Sequence, residues 1–220
     1  MEIYKYSNIG SREVNEDYVV SQNLGDGISL HLVADGMGGY DCGEIASKVV
    51  GDGYVDALSR NMDIDEATKL VSQNLKNEKH ALGVKKIGST VAGVFMRDME
   101  ATIFWSGDSR VYIYRADQLL YQTEDHSLVN DLQKVRPLSF EERRRYAHVV
   151  TRSLMGDGGD IAETHKQALQ HGDEIIICTD GLYNDCPIEY ILETIRNDKI
   201  DIDKHNIDFD DNHSLIYIKV

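Results

Sequence analysis

Glu16, Asp17, Asp35, Asp108, Asp180 and Asp211 each stand at the end of an apolar run or in a turn beside one. Gathered by folding, such carboxylates would repel one another unless divalent cations offset their charge. Oxygen donors from Asp, Glu, a backbone carbonyl and water suit Mg²⁺ or Mn²⁺. No HExxH motif or Cys/His cluster offers a zinc site instead. Two such ions roughly 4 Å apart can share a water and lower its pKa, giving a nucleophile near neutral pH. Asp35 is the candidate carboxylate to bridge them, and Gly36, with no Cβ in the way, can bring its carbonyl close to an ion. Arg12, just ahead of Asn15, Glu16 and Asp17, adds a guanidinium that pairs with phosphate oxygens in a two-pronged fork. Taken singly, Asp35 and Asp180 read equally well as plain Asp-Gly turns, and Arg12 as a surface arginine. The combination and its order carry the weight.

Those residues need strands to hold them. Ile28 to Ala34 is an apolar run that ends at Asp35, and IIICTDG (Ile175 to Gly181) ends the same way at Asp180. IYKYS and DYVVSQ read as earlier strands. STVAGVFM, ATIFWSG and RVYIYR follow in close order with RDME and GDS between them, which predicts an antiparallel meander. HSLIYIKV closes as a strand after Asp210-Asp211-Asn212. Helical spacing of apolar residues appears over Gly43 to Leu58 and Ile64 to Leu82, the second capped by Asp63 or Asp65. Pro187 to Arg196 reads as a further helix, with proline in its first turn. Two short helices are expected around Pro137, HVVTRSLMGDGGD reads as a strand fragment ending in a glycine-rich loop, and ETHKQALQHG reads as loop and turn. Meanders with inserted helix pairs predict an α+β architecture, antiparallel sheets covered by helices.

Composition narrows the functional classes. With 220 residues and no Pro-rich linker, repeat or low-complexity tract, the expectation is a single domain over 1–220. The net charge of -15 argues against nucleic acid as a partner. Arg143-Arg144-Arg145 is the one basic knot; it reads either as a solvated helix face or as a docking patch for acidic or phosphorylated partners. No run of 18 apolar residues is present, and MEIYKYSNIG has no secretory pattern. Cys42, Cys178 and Cys186 are an odd set without CxxC spacing, which suits free thiols in a reducing cytoplasm, with Cys178 a small core residue.

REVNED (Arg12 to Asp17), VADGMGGYDCGEIAS (Val33 to Ser47), IGSTVAGVF (Ile87 to Phe95), WSGDSRVYIYR, TEDHSLVNDL, VVTRSLMG, CTDGLYN and DDNHSLIYIKV run in an order that resembles the metal-dependent protein serine/threonine phosphatases, the PPM or type 2C family, in its compact bacterial form. The resemblance spans nearly the whole chain. It implies a four-layer α/β-β/α sandwich with two central antiparallel sheets flanked by helices. It implies two Mn²⁺ or Mg²⁺ ions in the core site: Asp35 bridging both, the Gly36 carbonyl on one, Asp180 and Asp211 on the other. Asp108, with Asp180, would form a third, weaker site. Glu16 would act through metal-bound waters, Asp17 would orient the nucleophilic water, and Arg12 would bind the phosphoryl group. The implied reaction is direct in-line hydrolysis of phosphoserine or phosphothreonine by the water bridging the two ions, without a phosphoenzyme. Implied partners are phosphorylated proteins and an opposing serine/threonine kinase, for a cytoplasmic monomer that binds neither membrane nor nucleic acid.

The chain also departs from the family. Met37 stands where eukaryotic members carry a DGH histidine, so leaving-group protonation falls to water, to His126 or to His148; a structural role bonded to backbone is the other reading of His126. His213 reads as incidental. Asp210 competes with Asp211 as a ligand, though the Asn212 that follows favours Asp211. Asn197 to Phe209 is brief and polar for the family's second tail helix; its loss would bare part of one sheet as a partner surface, and it keeps open a catalytically impaired binding or regulatory protein on the same fold. The segment 127–155 would be a flap over the site and the main determinant of substrate choice, which also leaves room for a small phosphorylated molecule.

Overall fold

The computed structural model describes residues 1–37, 42–197 and 208–220. Most of the tail segment Asn197 to Phe209, and residues 38–41 of the VADGMGGYDCGEIAS motif, lie outside the described residues.

Two five-stranded antiparallel sheets form the centre. One runs β1 (Glu2–Asn8), β10 (His213–Lys219), β9 (Glu174–Cys178), β6 (Arg110–Arg115), β7 (Gln118–Gln122). The other runs β2 (Asp17–Gly25), β3 (Ile28–Asp35), β4 (Val91–Arg97), β5 (Glu100–Ser106), β8 (Glu163–Ala168). Helices α1 (Gly43–Ser59) and α2 (Ile64–Leu82) cover the second sheet, while α5 (Asp180–Asp185) and α6 (Ile188–Arg196) cover the first.

The period-2 alternation of side chains along each strand sorts the core into three layers. On β3, Leu30, Leu32 and Ala34 meet Val50, Tyr54, Val71 and Leu75 of the helix pair, whereas Val33 turns inward. Between the sheets lie Val33, Val94, Ile103, Val111, Ile175, Ile177, Ile216 and Ile218. On the far side Tyr112, Ile176, Leu215 and Tyr217 meet Ile191, Leu192 and Ile195 of α6. Three apolar interfaces separate four layers, as the α+β sandwich reading requires.

Helix ends follow their sequence signals. Asp63 caps α2 in a reciprocal box with Glu66, as expected for one of the two aspartates considered. Ser127 caps α3 (Leu128–Gln133), and Ser139 pairs with Glu142 at the start of α4 (Phe140–Tyr146), giving the two short helices expected around Pro137. Pro187 sits just before α6.

Three expectations are corrected. RVYIYR does not continue a meander: β4 pairs with β5, but β6 pairs with β7 and β9 in the other sheet. The chain changes sheets at Gly107, whose φ of 123° takes a conformation that glycine reaches without steric cost. ETHKQA is not loop but β8, an edge strand paired with β5. HVVTRSLMG forms no regular strand, only single bridges from Val150 to Ser127 and from Leu154 to Ser89.

The inter-sheet layer is not wholly apolar. Ser29 and His31 share the parity of Val33, and Ser21 lies opposite His31 across the β2–β3 ladder. His31 is 1% exposed and its ring nitrogens meet Ser21 Oγ at 2.8 Å and Ser29 Oγ at 3.0 Å. Burial, with a smaller push from Lys5, holds its pKa down at about 4. The unfolded chain takes up this proton first, so stability is full above pH 6.5 and is lost as pH falls towards 4. Between pH 7 and 5 the wild type is expected to lose roughly 2 kcal/mol more than His31→Gln. Denaturant melts of both proteins at the two pH values check this, and equal losses would refute it.

Candidate active site

The β2–β3 ladder sets the site. Asp17, the first residue of β2, lies directly across from Asp35, the last of β3, so the two carboxylates point from one face into the gap between the sheets. β9 runs into Thr179 and Asp180 at the same end, the β5–β6 crossing places Asp108 there, and Asp211 precedes β10. A cavity of about 460 Å³ at this end is lined by Arg12, Glu16, Asp35, Gly36, Asp108, Asp180 and Asp211. Met37, Thr90, His148, Val149, Val150 and Asn212 complete its wall. Asp17 is buried beneath it, at 9% exposure.

Close backbone approach explains the glycines. A Cβ on Gly36 would overlap the Gly43 carbonyl at the start of α1, and one on Gly181 would overlap the Asn212 carbonyl. Asp35 and Asp180 are thus each followed by a residue that lets a second segment come into backbone contact.

Second-layer groups fix the carboxylates. Thr179 Oγ1 donates to Asp17 Oδ2 at 2.9 Å, while Asp17 Oδ1, also buried, has no hydrogen-bond partner. Thr90 N donates to the Asp35 carbonyl at 2.8 Å, and Thr90 Oγ1 meets Ser109 Oγ at 2.8 Å, tying β4 to the turn that carries Asp108. Tyr183 donates to the Asp108 carbonyl at 2.8 Å, and its ring lies under Arg110, which Asp125 holds in a two-pronged pair. Arg12 Nη2 pairs with Asp211 Oδ2 at 2.7 Å.

The electrostatics are those of negative charge confined out of water. Burial, then repulsion from Asp17, Asp180 and Asp108, holds the Asp35 carboxyl well above the usual range. Burial raises Asp17 and Asp108 to about 7, with Asp180 adding to both. Asp180 is raised by burial and by Asp211, and Glu16 by burial and by Glu44. Such a set favours either bound protons or bound cations. Among the described residues no three Asp, Glu, His or Cys side chains already stand at the spacing of a formed metal centre. The donors ring the cavity instead of closing on one point. Their chemistry nevertheless fits a hard divalent ion: every candidate ligand is an oxygen, and Asp17, the strand partner of Asp35, has an orphaned buried acceptor in its Oδ1.

The histidines and Asp210 separate clearly. His126 Nδ1 accepts from Gly107 N at 3.1 Å, the backbone role considered for it, and His126 is not among the cavity residues, whereas His148 is. Burial and Arg152 push the His126 pKa down. His213 is far from incidental: it is 1% exposed, stacked on Phe209 at 3.8 Å, with Nδ1 3.0 Å from the Asp211 carbonyl oxygen. Asp211 lines the cavity, while Asp210 is exposed and its N–H bonds Asp185.

Asn212 is the residue that sequence reasoning used only as a marker. Its Oδ1 accepts from Glu16 N at 2.8 Å, and its Nδ2 donates to the carbonyls of Ile9 at 2.8 Å and Val14 at 3.0 Å. One buried amide therefore staples the loop carrying Arg12 and Glu16 to the turn carrying Asp211. Asn212→Ala would leave these backbone groups unpaired, and a loss of about 2–3 kcal/mol is expected. Thermal melts check the stability, and Mn²⁺ titration should show weakened binding as Glu16 and Asp211 lose their common anchor; unchanged values of both would refute the role.

A family model described as protein phosphatase 2C matches residues 6–197, a span that ends before Asp211. Protein phosphatase PhpP of Streptococcus pneumoniae is 30% identical over 211 residues, covering 90% of this chain and 85% of that protein. The serine/threonine phosphatase of S. agalactiae superposes with a TM-score of 0.78 at 27% identity, over 100% of this chain and 99% of the other. The catalytic domain of the phosphatase PstP, solved in complex with two manganese ions, gives 0.79 at 24% identity over 98% and 96% of the two chains, a likeness of fold. With the motifs in order and the family model matched from Tyr6 to Asn197, the chain belongs to the protein phosphatase 2C family.

Proposed function

We propose that the protein hydrolyses phosphoserine and phosphothreonine in proteins by in-line attack of a water on phosphorus, with Mn²⁺ or Mg²⁺ held by Asp35, the Gly36 carbonyl, Asp180 and Asp211, and a further ion by Asp108 with Asp180. The observation that carries this reading is the single cavity lined by Arg12, Glu16, Asp35, Gly36, Asp108, Asp180 and Asp211. Two such ions, when bound, supply the Lewis-acid charge that lowers the pKa of a shared water and offsets the phosphate charge.

The chain's own residues do the rest. Asp17, paired with Asp35 and with its Oδ1 lacking a partner, would accept a hydrogen from the attacking water and aim it. Glu16 holds further waters at the rim. Arg12 uses Nη2 for Asp211, leaving its other guanidinium donors for two phosphoryl oxygens. As the new P–O bond forms, the bond from phosphorus to the seryl or threonyl oxygen breaks. That oxygen takes a proton from solvent or from His148 in the wall, since Met37 cannot donate one. The products are inorganic phosphate and the free hydroxyl.

An opposing serine/threonine kinase follows from that chemistry. Three free cysteines support a reducing, cytoplasmic setting, and no helix among the described residues is long and apolar enough to cross a membrane. The test is phosphate release from a phosphothreonine peptide with Mn²⁺, with excess EDTA, and with Asp180→Ala. Release that needs Mn²⁺ and collapses in the variant is expected; metal-independent release, or none at all, would defeat the reading.

A further inference from the structure

The carboxylate excess of this chain consumes most of its arginines. Arg60 pairs with Asp56, Arg110 with Asp125, Arg115 with Asp173, Arg152 with Glu163 and Arg196 with Glu174. The last turn of α4 behaves differently. Arg143, Arg144 and Arg145 are all exposed, and among the described residues none of them forms an ion pair, although the formal charge is -15. Arg145 lies over its neighbour Tyr146. The nearby acids are used elsewhere or stand apart. Glu142 is taken by Arg136 and by the α4 cap, and Glu141, one turn before Arg145, does not reach it. A helix C-terminus welcomes cations, but that effect does not need three in succession.

Position gives this patch its meaning. α4 ends at Tyr146, and His148, Val149 and Val150 are the flap residues that wall the catalytic cavity. By chain length alone, the Arg145 backbone is within roughly 11 Å of that wall and Arg143 within roughly 18 Å. A peptide whose phosphoresidue enters the cavity sends its next three residues about 10 Å outward on either side. Phe140, one turn before Arg143 and Arg144 on α4, is 80% exposed and adds apolar area to the same helix.

We propose that Arg143, Arg144 and Arg145 select substrates whose phosphoserine or phosphothreonine is flanked by acidic residues. This rests on the phosphatase reading above and adds the substrate class to it. The protein's overall negative field would otherwise repel such segments and favour basic ones; the flap supplies the local exception at the cavity mouth.

The test compares kcat/KM for phosphothreonine peptides with three acidic, neutral or basic residues on each side, in Mn²⁺ at low salt. An acidic-to-basic ratio of about tenfold or more is expected, which three exposed charge contacts can supply. The ratio should fall towards one in R143Q/R144Q/R145Q, and in the wild type at about 0.5 M salt, where such contacts are screened. Because the ratio is read within one protein, a general loss of activity in the variant cancels. p-Nitrophenyl phosphate, which has no flanks, separates the two levels of inference. No Mn²⁺-dependent turnover of it would overturn the phosphatase reading, whereas turnover with equal or basic-favouring peptide ratios would overturn the flap proposal alone. Arginine-dependent binding of phosphatidylserine vesicles without any flank preference would assign the patch to membranes and overturn it too.

Discussion

Asp35→Asn should lower phosphopeptide turnover by at least about a thousandfold while making the metal-free protein more stable. The activity loss follows from removing the carboxylate proposed to bridge the ions: metal charge contributes several kcal/mol to such reactions, and about 4 kcal/mol is a factor of a thousand. The stability gain follows from the surroundings. Asp35 is half-buried at the cavity with Asp17, Asp180 and Asp108 around it, and its carboxyl is held well above its ordinary range. Asparagine keeps the shape and removes one charge from that repulsion. Steady-state assays and thermal melts in EDTA at pH 8 measure the two effects. A variant both inactive and less stable would mean that Asp35 acts as a structural hydrogen-bonding residue, and an active one would remove it from the site.

Stabilisation by Mn²⁺ should rise steeply with pH. An acid with a raised folded pKa binds its proton more tightly in the folded state than in the unfolded one. The contribution of Asp17 and Asp108 is therefore fully present below pH 3.8 and is lost as pH rises to about 7. The sum is several kcal/mol, short of simple addition because the groups interact. Bound cations replace the protons and restore what is lost. Melting temperatures with and without Mn²⁺ should nearly coincide at pH 5 and part by roughly 10 °C or more at pH 8. A gap independent of pH would show that ions do not bind among these carboxylates.

How much of this was visible in the sequence depended on the range of the determining interaction. Apolar runs ending in Asp-Gly located β3 and β9, since such strands are buried on both faces. The pairing of Asp17 with Asp35 followed once β2 and β3 were neighbours, because one register fixes both faces. The sheet change at Gly107 was hidden because a three-residue turn looks the same whether the chain folds back or crosses over. β8 was hidden because an edge strand whose residues are all exposed or half-buried carries little apolar signal. α5, only six residues long, is too short for helical periodicity. Asn212 could not be read at all: its partners at Ile9, Val14 and Glu16 lie almost the whole chain away. The asparagine that follows pointed to Asp211 over Asp210, and Asp211 is the one of the two that lines the cavity.

The strand order carries a consequence for biosynthesis. β2 to β5 are near neighbours in the chain and pair in succession, so that sheet and its two helices can assemble while translation continues. β1 has no such option. Its partner along its whole length is β10, from Glu2 against Lys219 to Asn8 against His213. β10 is also the strand between β1 and β9, so β1 joins the sheet only after residues 213–219 have been made, whereas β6, β7 and β9 can pair before then. Asp211 arrives with it. A nascent chain can therefore pair β2 to β5 before it holds the full set of cavity residues, which is complete only once Asp211 and the strand behind it have been made.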